Sequence, residues 1–166
     1  MDFIWTPWRY QYITAPEEKG ACIFCVAAQS ADDERTLVVH RAERNFVMLN
    51  RYPYTAGHLM VVPYDHVSAL DLLAPETLCE QMLLARDAEH HLREIYHPEG
   101  LNIGMNLGKC AGAGIADHLH YHVVPRWNGD TNFMPVLADV RVIAQSLESL
   151  YDLLVLRLGG ANPQAG

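Results

Sequence analysis

The sequence predicts an α+β fold: about five mostly antiparallel strands, one long helix and one C-terminal helix. Three observations predict it. β-rich runs crowd residues 35–63. A 22-residue stretch at 75–96 carries helical periodicity. Two more extended runs, at 101–106 and 118–124, precede a final amphipathic stretch at 141–158. With 166 residues, half of them apolar and 19% charged, the chain 1–166 reads as one domain with a real core.

Residues 1–20 form an arm rich in proline and large rings. Trp5, Trp8, Tyr10 and Tyr12 are too many aromatics for a free tail, so they are expected to pack on the domain or on a second subunit. In a second reading, one ring borders a ligand site together with Arg9. No basic segment followed by an apolar run opens the chain, so no signal peptide is expected. No apolar stretch approaches 18 residues, so no membrane span is expected and the cytosol is the default.

Cys22-Ile23-Phe24-Cys25 follows a turn at 16–20. Such a pair is half a zinc site, a redox pair, or two reduced thiols packed as small apolar groups. A redox motif of the thioredoxin type would follow a strand, and nothing strand-like precedes this one. Zinc would need two more N or S ligands. Cys79 and Cys110 read as unpaired thiols, and four Cys in a cytosolic chain argue against a disulfide framework.

Residues 26–34 read as helix into loop. Arg35–His40 and Asn45–Asn50 read as strands of a hairpin around 41–44. His58–Pro63 reads as a third strand, continuously apolar and hence buried on both faces. In 75–96, Leu78, Met82, Ala85, Leu92 and Ile95 recur at helical steps, and Pro75 suits a first turn. His90, His91 and His97 read as solvated. Leu101–Asn106 is a fourth strand. Residues 108–114 form a Gly/Ala loop that lacks the Gly-Lys-Ser/Thr of a Walker loop. Its glycines would let backbone N–H groups approach an anion, or it is a plain turn. The last helix carries Ile143, Leu147, Leu150 and Leu154. Gly159-Gly160 ends it, and the tail 159–166 is expected to be disordered.

The most informative run is Asp117-His118-Leu119-His120-Tyr121-His122-Val123-Val124. In an extended strand, alternate side chains share a face, so His118, His120 and His122 point one way. With nine His in the chain, this spacing should arise by chance only about 0.03 times. Imidazole is both a metal ligand and the usual base or nucleophile near neutral pH. The net charge of −8 argues against a nucleic-acid surface. An anionic substrate would need local donors, with Arg9, Arg51, Lys109 and Arg126 as candidates.

The run His118–Val124 resembles the His-φ-His-φ-His-φ-φ signature (φ apolar) of the histidine triad family of nucleotide hydrolases and transferases. Asn50-Arg51-Tyr52-Pro53 and Gly57-His58-Leu59-Met60-Val61-Val62-Pro63 extend the likeness over roughly residues 20–135. The flanks at 5–10 and 127–135 resemble the bacterial diadenosine tetraphosphate phosphorylase branch.

The resemblance implies a fold and a chemistry. It implies a homodimer formed through the sheet edge and long helix. His120 would attack the α-phosphorus to give a nucleotidyl-histidine, His122 would serve the bridging or leaving oxygen, and His118 would orient the strand or bind metal. Asn50 would contact the ribose, and Asn106 and Lys109 the phosphates. Trp127 and Arg9 would border the substrate, with 127–135 folding over the site. Cys22, Cys25, His66 and His118 would hold a structural zinc. Relatives often carry Gln and Ser/Thr where this chain has Ala113-Gly114-Ile115, which leaves space at Gly114 for a second phosphate. Three functions stay open: phosphorolysis of the dinucleotide to ATP and ADP, hydrolysis of dinucleoside polyphosphates or nucleoside phosphoramidates, and a non-catalytic zinc or nucleotide-binding module.

Overall fold

The structure is a computed structural model that describes residues 22–130 and 146–158. The arm 1–20, the segment 131–145 and the tail 159–166, with the expectations placed on them, lie outside the described residues. Helix α1 is Ile23–Gln29 and α2 is a single turn, Asp33–Thr36. Strands β1 (Val38–Arg41), β2 (Asn45–Leu49) and β3 (Leu59–Pro63) follow, then the long helix α3 (Pro75–Tyr96). Strands β4 (Gly100–Met105) and β5 (Tyr121–Arg126) precede helix α4 (Leu147–Leu158). The five strands form one sheet in the order β1-β2-β3-β5-β4, and every pairing is antiparallel.

The central strands of the sheet are buried on both faces. Val47, Leu49, Leu59, Val61 and Val123 point to one face, where Ala85, Ala88 and Leu92 of α3 and Leu150 and Leu154 of α4 cover them. Phe46, Met48, Met60 and Val62 point to the other, under Phe24 and Ala27 of α1. β2 and β3 are buried at every position, as a continuously apolar strand requires.

Three sequence expectations need correction. Residues 35 and 36 are not strand. Asp32 accepts from the Arg35 N–H and caps the short turn α2, and Leu37 then takes a left-handed conformation (φ 63°) before β1 begins. The buried row of α3 is Thr77, Gln81, Ala85, Ala88 and Leu92, whereas Met82 is 55% exposed. Ala85 and Leu92 of the expected stripe are in that row, and Ile95 packs against the core beside it. His91 is also half-buried rather than solvated, near Glu94. Among the described residues, no helix is long and apolar enough to cross a membrane.

Candidate active site

β5 pairs with β3 and β4, so the triad segment enters the middle of the sheet. The ladder starts at Tyr121. His118 and His120 therefore precede the strand proper, but the alternation persists. Tyr121 and Val123 pack on the α3 side, while His118 and His120 meet Phe24 of α1 at ring distances of 5.3 and 4.9 Å. All three triad residues are buried. His122 stands between Met60 and Gly104 in register. A Cβ added at Gly104 would meet nothing within 4 Å, so the surface beside His122 is open.

The hydrogen bonds fix each imidazole in one neutral tautomer. His120 Nδ1–H donates to the carbonyl of His118 at 2.9 Å, which leaves the Nε2 lone pair available. His118 Nε2–H donates to the carbonyl of Pro63 at 2.9 Å, which leaves its Nδ1 lone pair available. The third ring is set through a fourth histidine. The backbone N–H of Tyr54 donates to His58 Nδ1 at 3.1 Å, so the proton of His58 sits on Nε2. That proton is donated to His122 Nδ1 at 2.9 Å. His122 in turn carries its proton on Nε2. A lone pair on His120 and an N–H on His122 thus stand side by side, with ring centroids 4.8 Å apart.

Burial keeps these rings uncharged. It lowers the titration of His118 and His120 below the usual imidazole range. For His122, burial and then the neighbouring His120 push it down to about 4. A neutral nucleophile beside a neutral donor is a pair suited to attack on phosphorus and protonation of the departing oxygen.

His58 was not singled out by sequence reasoning. It is fully buried at the head of β3. The available signal was a polar side chain opening a wholly apolar strand. Gly57 delivers it: its φ is +80°, and a Cβ there would sit 3.0–3.1 Å from Leu92, Pro125 and Tyr96.

A second group lies behind the triad. One ligand atom each from Cys22, Cys25, His66 and His118 fall within 4.8 Å of one another, and the group could hold a metal ion. The available Nδ1 of His118 is 3.5 Å from Cys22 Sγ, 3.6 Å from Cys25 Sγ and 3.2 Å from His66 Nδ1. Cys25 Sγ is 3.2 Å from His66 Nδ1. Burial, and then Cys22, push the Cys25 thiol up, a cost that a cation would offset. Cys22 caps α1 and Cys25 lies in its first turn, so the motif does open a helix.

The other sequence candidates divide. Asn50 joins the site: its Nδ2 is 3.5 Å from His58 Nε2, and its Oδ1 accepts from the Tyr52 N–H. Asn106 follows Met105, which pairs with Tyr121, and so lies opposite His120 where the β4–β5 register continues past the ladder. Lys109 and Gly114 are exposed in the loop between β4 and β5. In that loop, the N–H groups of Ala111, Gly112 and Ala113 are returned to the carbonyls of Gly108 and Lys109, so the expected anion cradle loses three donors. Arg51 donates to the carbonyl of Arg35. Arg126 is tied to Asp130 and Asn102. Trp127 sits past the far end of β5 with its ring edge on Tyr96. That is on the order of 16 Å along the strand from His122, so the fold does not bring Trp127 to the triad of its own chain. Arg9 lies outside the described residues.

Comparison with known proteins agrees with this geometry. The HIT domain model matches residues 32–129. A Mycobacterium tuberculosis protein named AP-4-A phosphorylase is 40% identical over 158 residues, covering 91% of this chain and 81% of that protein. The crystal structure of a Zn-bound histidine triad family protein from Mycobacterium smegmatis superposes with a TM-score of 0.65 at 29% identity, covering 84% of this chain and 94% of that one. A Schizosaccharomyces pombe asymmetrical bis(5'-nucleosyl)-tetraphosphatase is 28% identical over 56% of this chain and half of its own length. With the triad, its supporting tautomers and these matches together, the chain belongs to the HIT domain family.

Proposed function

We propose that the chain is a nucleotidyltransferase that cleaves diadenosine tetraphosphate with phosphate to ATP and ADP. The observation that carries the chemistry is the available Nε2 lone pair of His120 beside the Nε2–H of His122. Nε2 of His120 attacks the α-phosphorus, and the P–O bond to the tetraphosphate bridge breaks. ATP leaves with the proton of His122, and an adenylyl-His120 remains. Phosphate then attacks that phosphorus and departs as ADP, returning His120. The 40% identity with a protein named AP-4-A phosphorylase, across most of both chains, supports phosphate as the acceptor. So does the exposed Gly114 in place of a long polar side chain.

The Cys/His cluster is the zinc site of this reading. Tetrahedral ligands with Zn–S about 2.3 Å and Zn–N about 2.0–2.1 Å stand roughly 3.3–3.8 Å apart. Four of the six donor separations are 3.2–3.6 Å, close to those edges, and the other two stay within 4.8 Å. The ion would tie the start of α1 to His66 and His118 and so brace the triad segment from behind. A homodimer is supported by the open edge of β4, where Ile103 is 40% exposed. Free thiols in the cluster fit the reducing cytosol.

Hydrolysis is the second reading, favoured by His at the third triad position and by the tetraphosphatase relative. Incubation of the protein with diadenosine tetraphosphate, with and without phosphate, separates the two. ATP with ADP in proportion to phosphate supports the transferase. ATP with AMP, independent of phosphate, supports the hydrolase. No turnover in either arm supports a binding module.

A further inference from the structure

We propose that Cys22 and Cys25 form a peroxide-oxidisable dithiol whose closure to a disulfide opens the four-residue cluster and disarms His120. The inference rests on the cluster being a zinc site and on His120 being the nucleophile.

The geometry favours closure. Both sulfurs lie within the 4.8 Å span of the cluster. Cys22 caps α1 and Cys25 is three residues on, in its first turn. Side chains at that spacing on a helical turn stand about 5–6 Å apart at Cβ, so a disulfide needs only adjustment of one turn. Both residues are partly exposed, which admits a small oxidant. The two thiolates give up two electrons to one hydrogen peroxide. The S–S bond forms, the O–O bond breaks, and the peroxide takes two protons and leaves as two waters.

The consequence reaches the nucleophile by two contacts. Only His66 and His118 would remain as ligands, too few for a tetrahedral zinc site. His118 is the residue whose carbonyl accepts from His120 Nδ1–H at 2.9 Å. Phe24, between the two cysteines, is 1% exposed and packs on the rings of both His118 and His120. Drawing Cys22 and Cys25 together releases His118 and reshapes the turn that holds Phe24. The bond that fixes the His120 tautomer then loses its support from both sides.

The test uses the zinc-loaded, reduced full chain carrying Cys79→Ser and Cys110→Ser, which removes the two exposed thiols outside the cluster. Its own turnover is the reference. Hydrogen peroxide is added, and released zinc, free thiols, the mass of the 22–25 peptide and far-UV circular dichroism are followed with turnover. The NMR signal of His120 Nδ1–H reports the nucleophile independently of substrate. One zinc should leave per two thiols lost, with the peptide lighter by about 2 Da. Helical signal should stay, the Nδ1–H signal should vanish or move, and turnover should fall at least about tenfold. Thiol reductant with zinc should restore all of these. Three results would overturn the proposal: zinc and thiols that survive peroxide able to oxidise Cys79 in the unsubstituted chain; a sulfinate in place of the disulfide; or a disulfide with zinc lost while the Nδ1–H signal stays and turnover holds within about twofold. A reference protein without turnover would contradict the activity assignment instead, and the thiol, zinc and NMR readouts would still decide the dithiol.

Discussion

His58 Nε2 and His122 Nδ1 lie 2.9 Å apart, both inside the protein, and the Tyr54 N–H on the far side of His58 sets the direction of the bond between them. The proton order runs from a backbone amide through two imidazoles to Nε2 of His122. A backbone amide, which only proline at position 54 would remove, thus decides which nitrogen of His122 donates. His58→Phe keeps a ring and removes the donor. It should lower kcat by about 10²-fold, the lower end for a misplaced general acid, with KM nearly unchanged. Steady-state kinetics on diadenosine tetraphosphate check this, and an unaltered kcat would show that the relay does not matter.

The pH dependence of stability has a definite sign. His122 titrates at about 4 when folded, against 6.5 for a free imidazole. The unfolded chain therefore binds the extra proton between those values. Stability is full above pH 6.5 and is lost as the pH falls toward 4. From pH 7 to pH 5 this one residue should cost about 2 kcal/mol, which His122→Asn should remove from the slope. Urea unfolding at both pH values, on parent and variant, measures the difference. Equal slopes would mean that His122 is not held neutral.

Metal analysis of protein purified without chelator should give about one zinc per chain. Cys22→Ala should abolish that content and lower the melting temperature, because metal binding energy is folding energy in such sites. A metal-free parent whose melting temperature is indifferent to Cys22→Ala would leave the two thiols as packing groups.

Gly114→Gln should reduce phosphorolysis more than it reduces nucleotide binding. The side chain would enter space that the exposed Gly114 leaves open to the second phosphate. The returned N–H groups of Ala111, Gly112 and Ala113 leave Asn106 and Lys109 as the expected donors there. Phosphate KM, compared with the dissociation constant of AMP, separates the two effects. An equal loss in both would make Gly114 only a turn residue.

Much of this was legible in the sequence, for physical reasons. Period-two histidines announce a shared face whether or not the ladder has begun, so the triad survived the late start of β5 at Tyr121. Leu-Met-Val-Val could only be a strand buried on both sides. The Cys pair met His66 and His118 where the resemblance placed them. His58 was not assigned a role because one buried histidine has no period. Its meaning comes from His122, 64 residues away in sequence. On α3 the apolar spacing finds Ala85, Leu92 and Ile95 on the core side, but it includes the exposed Met82 and passes over Thr77 and Gln81, whose polarity hides their burial. Arg126 looked like a phosphate ligand until Asp130 and Asn102 were seen to hold it.

The central claim is that His120 Nε2 bonds to phosphorus. Rapid acid-free quenching of the protein with adenine-labelled diadenosine tetraphosphate, without phosphate, followed by peptide mapping, tests it most directly. The label should be found on His120 as an acid-labile adenylyl group and should be discharged as ADP when phosphate is added. His120→Ala should carry no label and lose at least about 10⁴-fold in turnover while keeping its fold. Label on another residue, or full turnover by His120→Ala, would contradict the account.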